Sequence, residues 1–150
     1  MALTVEDASI RNLDRLCEIE MECFEKEAFT KQQIAQLLTD YNSVSLVAKV
    51  NGEIAGFIIG MMYIERRAPI GHILTIDVSP EYRRKGIAQR LLHEIEKIFK
   101  EKGVKTCQLE VREDNIAALR LYKGSGYKKV ARLESYYGNA HGLYLRKDLA

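Results

Sequence analysis

The stretch Val78-Ser79-Pro80-Glu81-Tyr82-Arg83-Arg84-Lys85-Gly86-Ile87-Ala88-Gln89 constrains this chain more than any other. The apolar run Ile73–Val78 before it reads as a buried strand, and Leu91, Leu92, Ile95, Ile98 and Phe99 after it recur as one face of a helix. A strand therefore enters a short basic turn that opens a helix. The first turn of a helix has unpaired N–H groups and the positive end of the peptide dipoles, so it attracts anions. Gly86 lets the main chain approach a bulky anion, and small Ala88 keeps the next contact clear. Arg83, Arg84 and Lys85 add charge-assisted donors. A basic run alone is usually a solvated patch. Strand, proline, basic triplet, glycine and amphipathic helix in this order point instead to a phosphate, by size a pyrophosphate.

The rest of the chain supplies the elements around that unit. Residues 2–5 read as a first strand, and Ile10, Leu13, Cys17, Met21 and Phe24 as the apolar face of a helix beginning near Ser9. Thr30 with Gln33 three residues on is a capping box for a short helix carrying Ile34, Leu37 and Leu38. Asn51-Gly52 joins a strand Val44–Val50 to a longer one, Glu53–Tyr63, in a hairpin. Gly56 and Gly60 in the longer strand suggest a bulge or a close backbone approach. Glu65–Pro69 reads as a polar loop, and His72 as the start of the strand before the basic turn. Gly103 ends the long helix, Thr106–Val111 is the next strand, and Asp114 or Asn115 caps a helix with Ala118, Leu119, Leu121 and Tyr122. Tyr127–Glu134 and Leu143–Arg146 close the chain as strands. No linker or repeat divides residues 1–150, so one α/β domain is expected.

Composition narrows the function. A formal net charge of +2 gives no support to general nucleic-acid binding. The longest apolar runs fall well short of the ~20 residues that span a bilayer, so no membrane role is expected. Acid appears too early in Met1–Asp7 for a secretory signal. Cys17, Cys23 and Cys107 lack CxxC spacing and read as reduced thiols of a cytoplasmic protein. His72, His93 and His141 lack metal-ligand spacing, so no metal is expected.

Few side chains carry obvious chemistry. Glu110 sits in Leu109-Glu110-Val111: half-buried, it would be a base near neutral pH, whereas strand alternation with Thr106 and Gln108 would leave it on an exposed face. Tyr122, on an apolar helix face, is either a core ring or a proton donor. Tyr136-Tyr137 beside Gly138 is either the lip of a cleft or a surface pair. His72 is either structural or a base.

At this point the chain resembles the GNAT family of acetyl-CoA-dependent N-acetyltransferases. Arg83-Arg84-Lys85-Gly86-Ile87-Ala88 matches that family's acyl-CoA signature, Gln/Arg-x-x-Gly-x-Gly/Ala, behind its Val78-x-Pro80. Leu109-Glu110-Val111-Arg112-x-x-Asn115-x-x-Ala118-x-x-Leu121-Tyr122-x-x-x-Gly126-Tyr127 forms a second matching block. That block, with Gly71-His72-Ile73 and Ser135-Tyr136-Tyr137, is most similar to the RimI and archaeal branch that acetylates protein α-amino groups. The resemblance implies a mixed, mostly antiparallel seven-stranded sheet with helices on both faces and splayed fourth and fifth strands. It implies that main-chain groups of Ile76 and Val78 hold the pantetheine arm of acetyl-CoA and that residues 83–88, among them Ile87, hold its pyrophosphate. Asn115 would approach the cofactor, and Tyr122 would lie near the sulfur. It further implies Glu110 as base, with Glu25 and His72 as an alternative pair, and Tyr136 and Tyr137 closing over a protein N-terminus, ribosomal or nascent. A monomer or weak dimer is expected.

Overall fold

The computed structural model describes residues 2–24 and 26–149. In chain order the elements are β1 (Leu3–Asp7), α1 (Leu13–Cys23), α2 (Lys31–Thr39), β2 (Ser43–Val50), β3 (Glu53–Glu65), β4 (Ala68–Val78), α3 (Ile87–Glu101), β5 (Thr106–Arg112), α4 (Ile116–Gly124), β6 (Lys128–Leu133) and β7 (Gly142–Asp148). The seven strands form one sheet in the order β1-β2-β3-β4-β5-β7-β6. Every neighbouring pair is antiparallel except β4–β5, whose crossover runs through α3.

Local chemistry places most boundaries. Ser9 caps a single 3-10 turn that leads into α1, so the first helix begins less regularly than its periodicity suggests. Thr30 and Gln33 exchange side-chain and main-chain hydrogen bonds at the start of α2. Asn51 and Gly52 both take positive φ, as a two-residue hairpin turn with the right twist requires. The expected polar loop at Glu65–Pro69 is instead another tight hairpin. β3 runs to Glu65, β4 starts at Ala68, and Arg66 and Arg67 alone turn the chain at φ 50 and 68. Long cross-strand pairing offsets a left-handed strain of about 1–2 kcal/mol per residue there.

Both faces of the sheet are covered, one only in part. Leu16, Ile19 and Ile34 from α1 and α2 pack on Val47, Phe57 and Ile59. On the opposite face Leu91, Leu92, Ile95 and Phe99 of α3 pack on Leu46, Ile58, Ile73 and Leu109, with Tyr122 of α4 in the same core. Burying each such side chain stabilises the fold by roughly 1.5–3 kcal/mol before entropy is counted. Glycines permit the close contact: a Cβ on Gly60 would lie 2.8 Å from Phe99, and one on Gly56 2.5 Å from the Asp77 carbonyl. No helix among the described residues is long and apolar enough to cross a membrane.

One irregularity in β4 sets which side chains face the α1 side of the sheet. Ile59 pairs with Thr75 but Gly60 pairs with Ile73, which leaves Leu74 as an extra residue on β4. The bulge breaks the alternation of the strand. His72, ahead of it, and Thr75 and Asp77, beyond it, all face the α1 side.

Candidate active site

β4 and β5 pair over only three residues, Ile70 with Thr106, Gly71 with Cys107 and His72 with Gln108. Beyond His72 the two strands separate. A cleft of about 890 Å³ opens in the gap, reaching from Thr75 and Ile76 on one wall to Glu110 and Val111 on the other. The facing main-chain edges, including those of Ile76 and Val78, have no strand partner there, and an extended ligand could take that place. The Val78 carbonyl itself accepts hydrogen bonds from Arg83 Nε at 3.1 Å and Cys23 Sγ at 3.4 Å.

At the end of β4 the chain makes the basic turn. Arg84 and Gly86 sit in the left-handed region at φ 62 and 78, and Gly86 is the N-cap of the fifteen-residue α3. Nothing lies within 4 Å of where its Cβ would be, so the approach to the first-turn N–H groups, from Ile87 and Ala88 on, is open. Arg83 braces the turn from below, its Nε on Val78 and its Nη2 3.5 Å from Cys23 Sγ. Arg84 and Lys85 stay exposed at the rim. An open αL glycine, outward N–H groups and free cations fit a pyrophosphate.

Where the strands part, His72 Nε2 lies 2.8 Å from Glu110 Oε1, with each side chain 22% exposed. Leu109 and Val111 point into the α3 core, so alternation turns Glu110 to the other face, where α1 and α2 do not reach it. The edge of the Tyr63 ring packs on His72 at 6.3 Å between centroids, and Gln108 holds the Tyr63 hydroxyl. Across the cleft Tyr122 is buried and meets Tyr127 edge-to-face at 5.7 Å. Burial, foremost, pushes its phenol well above the ordinary range, so it keeps its proton. Asn115, not Asp114, caps α4, accepting the Ala118 N–H at 3.1 Å; Asp114 pairs with Arg112.

Two loops form the mouth. Tyr136 and Tyr137 stand edge-to-face at 4.9 Å, packed over Gly142, and burial raises the Tyr137 phenol to about 12. The opposite lip is the segment 26–29. Arg112 joins the lips: its guanidinium pairs with Glu27 on one side, reaches Asn139 at 3.4 Å on the other, and lies 5.7 Å from the Tyr137 ring centre. Sequence reasoning missed Arg112 and Glu27, although Arg112 follows Glu110 by two residues and so shares its face of β5. Glu25, expected with His72 as the alternative base pair, lies outside the described residues. The structure thus brings together His72, Glu110, Tyr122, Tyr136 and Tyr137 around one cleft. The basic turn lies outside that lining and meets it through Cys23, a lining residue in contact with Arg83. The His72–Glu110 pair and the protonated Tyr122 phenol line the same cleft. That arrangement can remove a proton from one partner and deliver one to the other.

Known proteins resemble this chain along its whole length. The Acetyltransferase (GNAT) family model matches residues 13–127. An N-alpha-acetyltransferase of Sulfurisphaera tokodaii is 30% identical over 150 residues, covering 94% of this chain and 89% of its own length. The [Ribosomal protein bS18]-alanine N-acetyltransferase of Escherichia coli is 32% identical over 92 residues, 61% of this chain and 60% of its own. Among solved structures, Ard1 from Thermoplasma volcanium superposes with a TM-score of 0.90 at 26% identity, covering 100% of this chain and 99% of the other. The match extends through both the basic turn and the strands that bound the cleft.

Proposed function

Because the chain belongs to the acetyltransferase (GNAT) family, we propose that it transfers the acetyl group of acetyl-CoA to the α-amino group of protein N-termini, those of ribosomal proteins or nascent chains among them. The observation that carries this reading is the His72–Glu110 pair at the base of a cleft whose mouth is the Tyr136–Tyr137 lip. A narrow, aromatic, loop-bounded mouth suits an extended peptide end. The relative named an N-alpha-acetyltransferase and the one named for alanine N-acetylation of a ribosomal protein support the same substrate class.

The residues divide the work by position. First-turn N–H groups of α3, with Arg84 and Lys85, hold the pyrophosphate, and the open edges at Ile76 and Val78 hold the pantetheine arm. Acetyl-CoA supplies an activated thioester. A free α-amine has a pKa near 8, so it needs only modest help to lose its proton. Glu110, oriented by His72, takes that proton directly or through one water and passes it to solvent. This frees the nitrogen lone pair to bond to the thioester carbon, and the second N–H proton leaves by the same route as the amide forms. Tyr122 gives its proton to the sulfur as the carbon–sulfur bond breaks. No acyl-enzyme forms, so Cys17, Cys23 and Cys107 take no part. We place this chemistry in the cytoplasm, where such N-termini are exposed, and in a single domain acting as a monomer or weak dimer.

Acetyl transfer from labelled acetyl-CoA to short peptides, each with a free or a blocked α-amine, tests the reading, with mass spectrometry locating the label. Acetyl on free α-amines with a ranked preference for the first residues is the expected result. Transfer confined to lysine side chains or small amines would overturn it.

A further inference from the structure

Beneath the segment 26–29 lies a buried polar cluster that the reaction above does not use. Glu20 of α1 and Asp77 of β4 are each 1% exposed, with Thr75 buried between them. The Thr75 hydroxyl is within hydrogen-bonding reach of both, 3.1 Å from Glu20 Oε1 and closer still to Asp77 Oδ1. The other Glu20 oxygen, Oε2, accepts the main-chain N–H of Phe29 at 3.0 Å.

A hydroxyl has one hydrogen and cannot donate to two carboxylates at once. One of the two short contacts must therefore be made by a proton on a carboxyl group. A proton on Asp77 Oδ1 gives the chain a single direction: Asp77 donates to Thr75, Thr75 to Glu20, and Glu20 accepts from Phe29. It also accounts for Asp77 Oδ2, which is buried with no partner among the described residues. As the carbonyl oxygen of a neutral acid, that atom costs far less to bury than a bare anion. Burial, foremost, and the Glu20 carboxyl push Asp77 well upward, and together they outweigh the opposing pull of the Thr75 hydrogen bond and of Arg83, whose Nε is turned to Val78. Cys23 and Tyr122, the other titratable neighbours, add no positive charge.

We propose that Asp77, Thr75 and Glu20 form a proton-retaining chain that positions the 26–29 lip, and through it the amine substrate, against the break in the sheet. All three are positioning residues. Glu20 and Thr75 line the cleft with Phe29, so tension or slack in the chain changes where that wall stands. The kinetic part of the proposal rests on the acetyl-transfer reading; the structural part does not.

Thr75→Val keeps the shape of the side chain and removes the link. Loss of one hydrogen bond of about 1.4 kcal/mol predicts a ~tenfold rise in peptide KM and ~tenfold faster amide exchange at Phe29. The KM for acetyl-CoA and kcat should stay within about twofold. In Asp77→Asn, which keeps a neutral donor, peptide KM should be unchanged, while the infrared carbonyl stretch of a protonated carboxylic acid disappears. Unchanged Phe29 exchange in Thr75→Val, equal rises in both KM values, or no protonated-acid band in the wild type would each overturn the proposal. Exchange and infrared spectra need no turnover, so they decide the matter even if no peptide is acetylated. If Thr75→Val fails to fold, the Asp77→Asn difference spectrum decides it alone.

Discussion

At the scale of the residue, Tyr122 shows how one side chain serves both packing and chemistry. Its ring fills the α3–α4 core against Tyr127, while the residue lines the cleft. Tyr122→Phe keeps the ring, so acetyl-CoA affinity by calorimetry should change less than twofold while kcat falls by about 10²-fold or more, the usual worth of a positioned acid. An unchanged kcat would remove Tyr122 from the mechanism. The sequence offered core ring and proton donor as alternatives because periodicity reports only which face a residue occupies. Glu110 was open for a related reason. Alternation placed it with Gln108 correctly, but its partner lies 38 residues away, and only the adjacency of β4 and β5 brings His72 to it. The Asp77 proton had a faint signal, an acid inside the apolar run Ile73–Val78. Nothing in the sequence linked it to Glu20 in α1.

At the scale of the element, the turn before α3 combines backbone strain with ligand access. Gly86→Ala forces a Cβ into φ 78 and should cost about 1 kcal/mol of stability, with a smaller loss of acetyl-CoA affinity than a charged side chain causes, because the methyl adds bulk to the open approach but no charge. Gly86→Glu adds a charge against the pyrophosphate and should weaken acetyl-CoA binding by more than about tenfold, a loss of at least ~1.4 kcal/mol. Titration calorimetry on both variants separates strain from repulsion, and equal affinities would exclude an anion site at this turn. Elements bounded by strong local chemistry were legible in the sequence: the Thr30–Gln33 box, the Asn51-Gly52 hairpin and the glycine after α3. The Arg66-Arg67 hairpin was not, because arginine has no preference for positive φ and only the pairing of β3 with β4 imposes it. The Leu74 bulge was legible only from its partner strand, where Gly60 suggested an irregularity and the register does shift; in β4 itself one extra apolar residue does not disturb an apolar run.

At the scale of the whole molecule, the two kinds of perturbed carboxyl act at opposite ends of the pH range. Glu113 and Asp114 are held below the usual carboxylate range by hydrogen bonds from Arg132 and Arg112, so what they add is present above their unfolded pKa and lost as pH falls. Asp77 runs the other way. Folding raises its pKa, so the folded protein keeps a proton that the unfolded chain releases, and stability falls as pH rises from the ordinary carboxylate value towards the raised one. Urea unfolding across this range should therefore show Asp77→Asn gaining on the wild type with increasing pH; parallel curves would mean that Asp77 is buried as an anion. The seven-stranded mixed sheet with helices on both faces was legible from strand and helix order together with the family resemblance. Its consequence for the living cell comes from the β4–β5 ladder that stops after three pairs. Under the proposed reading the acyl donor fills the gap between these strands, so acetyl-CoA should stabilise the folded protein by mass action. Such a protein should resist unfolding, and with it proteolysis, better where its acyl donor is plentiful than where it is scarce.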